Sequence, residues 1–107
     1  MQMNEIRQRV QHAQAAIEQA SRLCQEELLL PMELKDSIQQ LDEKSGQMSN
    51  VLASADEQAL RQCVDDLEQL GDRARDACKT DAPVAEEVRR AVMQAHRELS
   101  DLKHSLH

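Results

Sequence analysis

The chain has 107 residues, of which 40% are hydrophobic and none is Phe, Trp or Tyr; it carries 13 basic against 20 acidic side chains, a net charge of −7. Two glycines and two prolines are too few for the turns of a sandwich or barrel, and aromatic platforms for stacking bases are absent. Phosphate backbones and anionic membranes attract Lys and Arg, so neither is an expected partner of an acidic chain. These features predict one soluble, all-helical domain spanning 1–107.

The first predicted helix has one apolar stripe, whose residues recur at alternating steps of four and three. The stripe consists of Ile6, Val10, Ala13, Ile17, Ala20 and Cys24. This spacing is typical of a helix that packs against a partner helix. Leu28 extends the stripe, and Pro31 is expected to end the helix because proline clashes with the preceding turn. Pro31 also suits the first turn of the second helix.

The second predicted helix keeps the same spacing through an unfavourable pair of residues. Its stripe consists of Leu34, Ile38, Leu41, Ser45, Met48 and Leu52. Gly46 follows Ser45 in the middle, and glycine costs about 1 kcal/mol relative to alanine in a helix interior. Because the stripe continues unchanged beyond Gly46, we expect one continuous helix with a weak point.

Capping residues predict where the third and fourth helices begin. Ser54 and Glu57 have the spacing of a capping box, in which each side chain accepts a hydrogen bond from the other residue's backbone amide. The sequence Thr80-Asp81-Ala82-Pro83 combines capping side chains with a first-turn proline, and Glu86 and Glu87 follow at the positive end of the next helix dipole.

The third and fourth helices complete the predicted core. The third stripe consists of Leu60, Val64, Leu67, Leu70, Ala74 and Cys78, with Cys63 and Ala77 beside it, and the fourth of Val88, Val92, Ala95, Leu99, Leu102 and Leu106. Four helices of similar length with short connections predict an antiparallel four-helix bundle made of two helical hairpins. Because burial of 27 large aliphatic side chains barely offsets the cost of ordering a chain of 107 residues, we expect self-association into a dimer.

The cysteines and histidines give no recognisable metal or catalytic motif. Three cysteines without a CxxC pair favour a reducing cytoplasm, and no Glu-x-x-His pair of a two-iron bundle occurs. The N-terminus lacks the apolar core of a signal peptide. We therefore expect no catalysis, cofactor, metal or small-molecule substrate. A metal- or redox-responsive bundle that uses Cys24, Cys63, Cys78 and a histidine is the alternative.

Two surfaces are candidates for binding a protein partner. The acidic stripe of the third predicted helix consists of Asp65, Glu68, Asp72 and Asp76. The fourth helix offers basic residues at steps of seven, Arg89, His96 and Lys103. Bridging within this hairpin is the simpler interpretation of the acidic stripe, and a docking face for a basic partner is the functional one.

The second candidate surface is the apolar run before the second helix, which includes Leu29, Leu30 and Met32. Consecutive helical residues point about 100° apart, so a single core stripe cannot bury the whole run. It either caps the end of the bundle or contacts another molecule. The sequence as a whole favours a cytoplasmic, non-catalytic protein-interaction module, such as an adaptor, small chaperone or regulatory subunit, which presents helix faces to a protein partner or to its own copy.

Overall fold

The computed structural model describes residues 3–27, 29–54, 56–79 and 84–106. These residues form four helices and no strand: α1 (Met3–Glu26), α2 (Met32–Ala53), α3 (Glu57–Cys78) and α4 (Glu86–Leu106). None of the described helices is long and apolar enough to cross a membrane. Leu28 and the predicted connection at 80–83 lie outside the described residues.

The helices pack as an antiparallel four-helix bundle, which confirms the predicted fold. α1 lies against α2 and α4, and α3 lies against the same two helices. No Cα atom of α1 comes within 8 Å of α3, and none of α2 comes within 8 Å of α4. Of the four neighbouring pairs, α1 and α2 are the least closely packed. The bundle therefore has an open seam between its first two helices.

The apolar stripes form the core of the bundle, as the spacing predicts. Every stripe residue is buried except Leu52, which is half-buried against the core. A hydrogen bond from Gln14 to Ser45 and an ion pair between Lys44 and Asp66 show which positions lie side by side. In this register the stripe residues stack in layers. The end layers are Ile6, Leu52, Leu60 and Leu106, and Cys24, Leu34, Cys78 and Val88.

One core position on α3 belongs to Gly71, which the sequence analysis did not place in the stripe. Steps of four and three from Leu67 lead to Gly71, which is buried, while Leu70 lies beside it and is buried too. A Cβ at Gly71 would lie 3.3 Å from Leu99 Cδ1 and 3.7 Å from His96 Cδ2. The absence of a side chain at Gly71 therefore lets α3 and α4 approach closely here.

The helix ends differ from the predicted ones in two places. α1 ends at Glu26, and Pro31 directly precedes the first residue of α2 as its N-cap. The predicted capping box is wrong, because Ser54 ends α2 and its hydroxyl donates to Val51 O at 2.6 Å. Asp56 caps α3 instead, accepting a hydrogen bond from the Ala59 amide at 3.1 Å. A carboxylate at this position also suits the positive end of the helix dipole.

α2 runs without a break through Ser45 and Gly46, as predicted, and α1 supports it there. Gln14 Nε2 donates to Ser45 O and to Ser49 Oγ, both at 3.0 Å. Ser45 Oγ donates to Asp42 O at 3.4 Å, a local bond that tends to bend helices. Gly46 is exposed, and a Cβ built on it would have no neighbour within 4 Å.

The two glycines make a matched pair for testing this packing. Gly46→Ala should raise the free energy of unfolding by about 0.5–1 kcal/mol, because alanine is the better helix former and nothing opposes its methyl group. Gly71→Ala should be at least roughly 0.5 kcal/mol less favourable than Gly46→Ala, since Leu99 is fully buried and must move. Urea unfolding followed by far-ultraviolet circular dichroism measures both. An equal gain at both positions would contradict the close approach at Gly71.

Candidate interaction surface

The acidic stripe on α3 is paired within the bundle. Asp72 Oδ1 lies 2.7 Å from His96 Nε2, and Glu68 Oε2 lies 3.4 Å from Lys103 Nζ. Lys103 Nζ also lies 4.0 Å from Asp65 Oδ1, while Asp76 Oδ1 lies 3.4 Å from Arg75 on its own helix. The bridging interpretation of the stripe is therefore the one with structural support.

His96 is the centre of this pairing. Its Nε2 lies near both Asp72 Oδ1, at 2.7 Å, and Arg75 Nη1, at 3.3 Å. One ring nitrogen cannot donate to the carboxylate and accept from the guanidinium at once. The shorter contact favours a proton on Nε2 that is donated to Asp72. Replacing Asp72 and Asp76 by lysine would break contacts inside the bundle, so that double variant does not isolate partner docking.

A further ion pair joins α2 to α3, which sequence reasoning missed. Lys44 Nζ lies 2.9 Å from Asp66 Oδ2. The hydrogen bond from Lys44 is the main reason that the pKa of Asp66 lies below its ordinary value. Both residues flank core positions, Ser45 and Leu67. Only the register between the two helices could have indicated that they meet.

The apolar run before α2 divides into an inner and an outer part. Leu30 is half-buried and packs against the core. Leu29 and Met32 are 87% and 72% exposed, and they are the large hydrophobic residues that the described part of the chain leaves exposed. We call Leu29 and Met32 the apolar corner. Leu30 therefore covers part of the core, while Leu29 and Met32 stay candidates for contact with another molecule.

Acidic residues precede and follow the apolar corner in the sequence and, unlike those on α3, have no partner in the described part of the chain. Glu26, Glu27, Glu33 and Asp36 are exposed, and none has a hydrogen bond or ion pair with another described residue. Asp36 lies one turn after Met32 on the same face of α2. The sequence alone could not distinguish these carboxylates from the paired ones on α3.

A groove of about 450 Å³ runs along the open seam between α1 and α2, next to the corner. Its lining is mixed in polarity: Ser21, Cys24, Gln25, Lys35, Ile38, Gln39, Asp42 and Glu43. Cys24 and Ile38 are buried and form its floor, while Asp42 and Glu43 are exposed at its rim. Asp42 and Glu43 thus extend the acidic surface near the corner along α2.

The three thiols do not form one site. All are free and buried. Cys63 and Cys78 are 15 residues apart on α3, which places them about 22 Å apart along the axis. Cys24 and Cys78 share an end layer, but their Cα atoms are more than 8 Å apart, too far for a disulfide without backbone movement. The described residues contain no group of three His, Cys, Asp or Glu side chains placed to hold a metal.

Burial also lowers the reactivity of the thiols. It raises the pKa of Cys24 to about 11, with the thiol of Cys78 adding to the effect. Burial likewise raises the pKa of Cys63 and that of Cys78. Because the thiolate is the reactive form, each shift makes the folded protein less reactive near neutral pH.

A double-mutant cycle tests the pairing of Asp72 with His96. Asp72→Ala, His96→Ala and the double variant should give a coupling free energy of about 0.5–1 kcal/mol, because this contact is short and partly buried. The same cycle on Glu86 and Arg90, which are 65% and 80% exposed, is the control and should give no more than about 0.3 kcal/mol. Equal coupling in the two cycles would contradict a special role for His96.

Thiol reactivity tests the alternative of a redox-responsive bundle. In the native protein at about pH 8, Cys24 should react with an aromatic disulfide reagent at least about 100-fold more slowly than in urea, since a pKa near 11 rather than 9.0 lowers the thiolate fraction by that factor. The same shift predicts that stability falls as pH rises from 9.0 to about 11, because the unfolded thiol ionises first. A native thiol that reacts at the unfolded rate would support the redox alternative.

Comparison with known proteins adds no family to this picture. No protein-family model matches the chain, and neither a curated protein nor a solved structure is significantly similar to it.

Proposed function

We propose that this chain is a non-catalytic protein–protein interaction module that contacts its partner through the apolar corner. The observation that carries the proposal is the exposure of Leu29 and Met32, three residues apart, while the other large apolar side chains whose burial is described are buried or half-buried. Exposed apolar groups that lie together are typical of interaction sites. An adaptor, a small chaperone or a regulatory subunit would each use such a surface.

The bundle itself does not need the corner. Leu30 supplies the contact that this segment makes with the core, while the side chains of Leu29 and Met32 point into solvent. Two exposed apolar side chains contribute little to folding, since they remain in contact with water. A second molecule that covers Leu29 and Met32 would remove their apolar surface from water, and this burial would stabilise the complex.

A different protein fits the corner better than a second copy does. The core stripes are buried within one chain, so their burial does not itself require a dimer. A homodimer through the corner would bring Glu27 and Glu33 of both copies together. The metal- or redox-responsive alternative gains no supporting observation from the described residues.

Site-specific photo-crosslinking in the protein's own host tests the proposal. A photoreactive amino acid replaces Leu29 in one variant and Gln47, exposed on α2 away from the corner, in the control. We expect a discrete adduct with one other protein from position 29 and none from position 47, because only the corner is proposed to lie in an interface. A self-adduct would instead support a homodimer. The same adducts from both positions, or none from either, would overturn the proposal.

A further inference from the structure

We propose that the partner segment is a helix with apolar residues on one face and Lys or Arg beside them, which lies along the groove between α1 and α2. This inference rests on the proposed function, because it concerns the same surface. It identifies the chemistry of the partner: apolar side chains for the corner and cations for the carboxylates around it.

The first argument is the difference between the two acidic surfaces of the molecule. On α3 the carboxylates of Glu68 and Asp72 are matched by Lys103 and His96 of α4. At the corner, Glu27, Glu33 and Asp36 have no ion pair or hydrogen bond with a described side chain. Uncompensated like charges around an apolar patch favour a partner with the opposite charge.

Two cations near the corner do not pair with these carboxylates. Lys35 is half-buried on the groove side of α2, where its charge partly opposes the burial that raises the pKa of Cys24. Arg22 lies one turn before Glu26 on α1. Glu27, Glu33 and Asp36 are left without an ion pair to a described residue, and they all lie within seven residues of Leu29 and Met32 in the sequence.

The second argument is the shape of the surface. From Met32 to Glu43 the outer side of α2 extends about 16 Å, which is the length of three helical turns. The groove along it lies between the least closely packed helices of the bundle, and grooves of similar volume lie between α1 and α4 and between α2 and α3. An amphipathic helix that lies in a groove between two helices contacts it through residues at steps of three and four. The rim residues Asp42 and Glu43 would then meet basic residues of the same partner helix.

The same charges disfavour the other classes of partner. A second copy would bring its own Glu27, Glu33 and Asp36 against this surface, which repels it. Phosphate backbones and anionic headgroups carry the same sign of charge as the rim. A basic, amphipathic protein segment is the partner class that satisfies both the apolar corner and the acidic rim.

Two synthetic peptides test this inference on the full chain. Both are fluorescein-labelled helix formers with leucine on one face; one carries Lys on the flanks and its counterpart carries Glu. Fluorescence anisotropy should show at least about tenfold tighter binding of the Lys peptide, and its affinity should fall as salt rises from about 50 mM to about 500 mM. Equal binding of the two peptides would overturn the proposed partner chemistry.

Charge variants show whether binding is local or reflects the net charge of −7. The variant E27Q/E33Q/D36N removes the unpaired carboxylates of the corner and should weaken binding of the Lys peptide about fivefold. The control E5Q/E57Q/D101N removes the same charge from exposed positions elsewhere, including two first-turn acids, and should weaken it less than about twofold. An equal loss in both variants would mean that the peptide binds by net charge only, which overturns the inference.

A third variant separates failure of the inference from failure of the proposed function. L29Q/M32Q should weaken binding of the Lys peptide by about tenfold or more, because two apolar side chains lose their burial. Its circular dichroism spectrum and unfolding midpoint should match those of the unchanged protein, since both residues are exposed. If both peptides bind equally but L29Q/M32Q weakens both, the corner stands and the basic partner fails. If L29Q/M32Q has no effect on either peptide, the proposed function fails as well.

Discussion

The constraint on which the structure depends is the alternation of steps of four and three on all four helices. It gives each helix one apolar stripe, and with no aromatic residue these stripes hold only aliphatic side chains, cysteines, alanines, one serine and, at the centre of α3, one glycine. Once the stripes stack in layers, the register between the helices determines which flanking residues lie next to each other. Asp72 faces His96 because its neighbour Gly71 lies in the core. Gln14 reaches Ser45 because its neighbour Ala13 lies in the core.

The polar contacts along the seams follow from this register and reinforce it. Most are partly exposed, so each contributes little free energy. These contacts favour the pairing of α3 with α4, because the acidic residues of α3 lie opposite His96 and Lys103 of α4. The seam between α1 and α2 has hydrogen bonds from Gln14 in place of such ion pairs. This seam is also the least closely packed, and the groove opens there.

The stripes were predictable from the sequence because burial follows periodicity directly. Whether Leu70 or Gly71 takes the core position on α3 was harder to predict. Hydrophobicity favours the leucine, strict spacing favours the glycine, and the structure buries both. The capping box failed because Ser54 remains bonded to the last turn of α2 and Asp56 is the better placed cap. Pairs such as Lys44 with Asp66 depend on how two helices are aligned, which no single-helix pattern contains.

The candidate surfaces illustrate the same difference. Counting charges along the chain makes the acidic stripe of α3 and the acids near Leu29 look alike, yet only the second set is left without partners in the described part of the bundle. An exposed leucine and methionine give the folded state nothing and favour unwanted association. In the proposed interface, the carboxylates near them would oppose contact between copies of the chain while attracting a basic segment. The same charges would then keep a second copy away from the apolar corner and favour a basic partner.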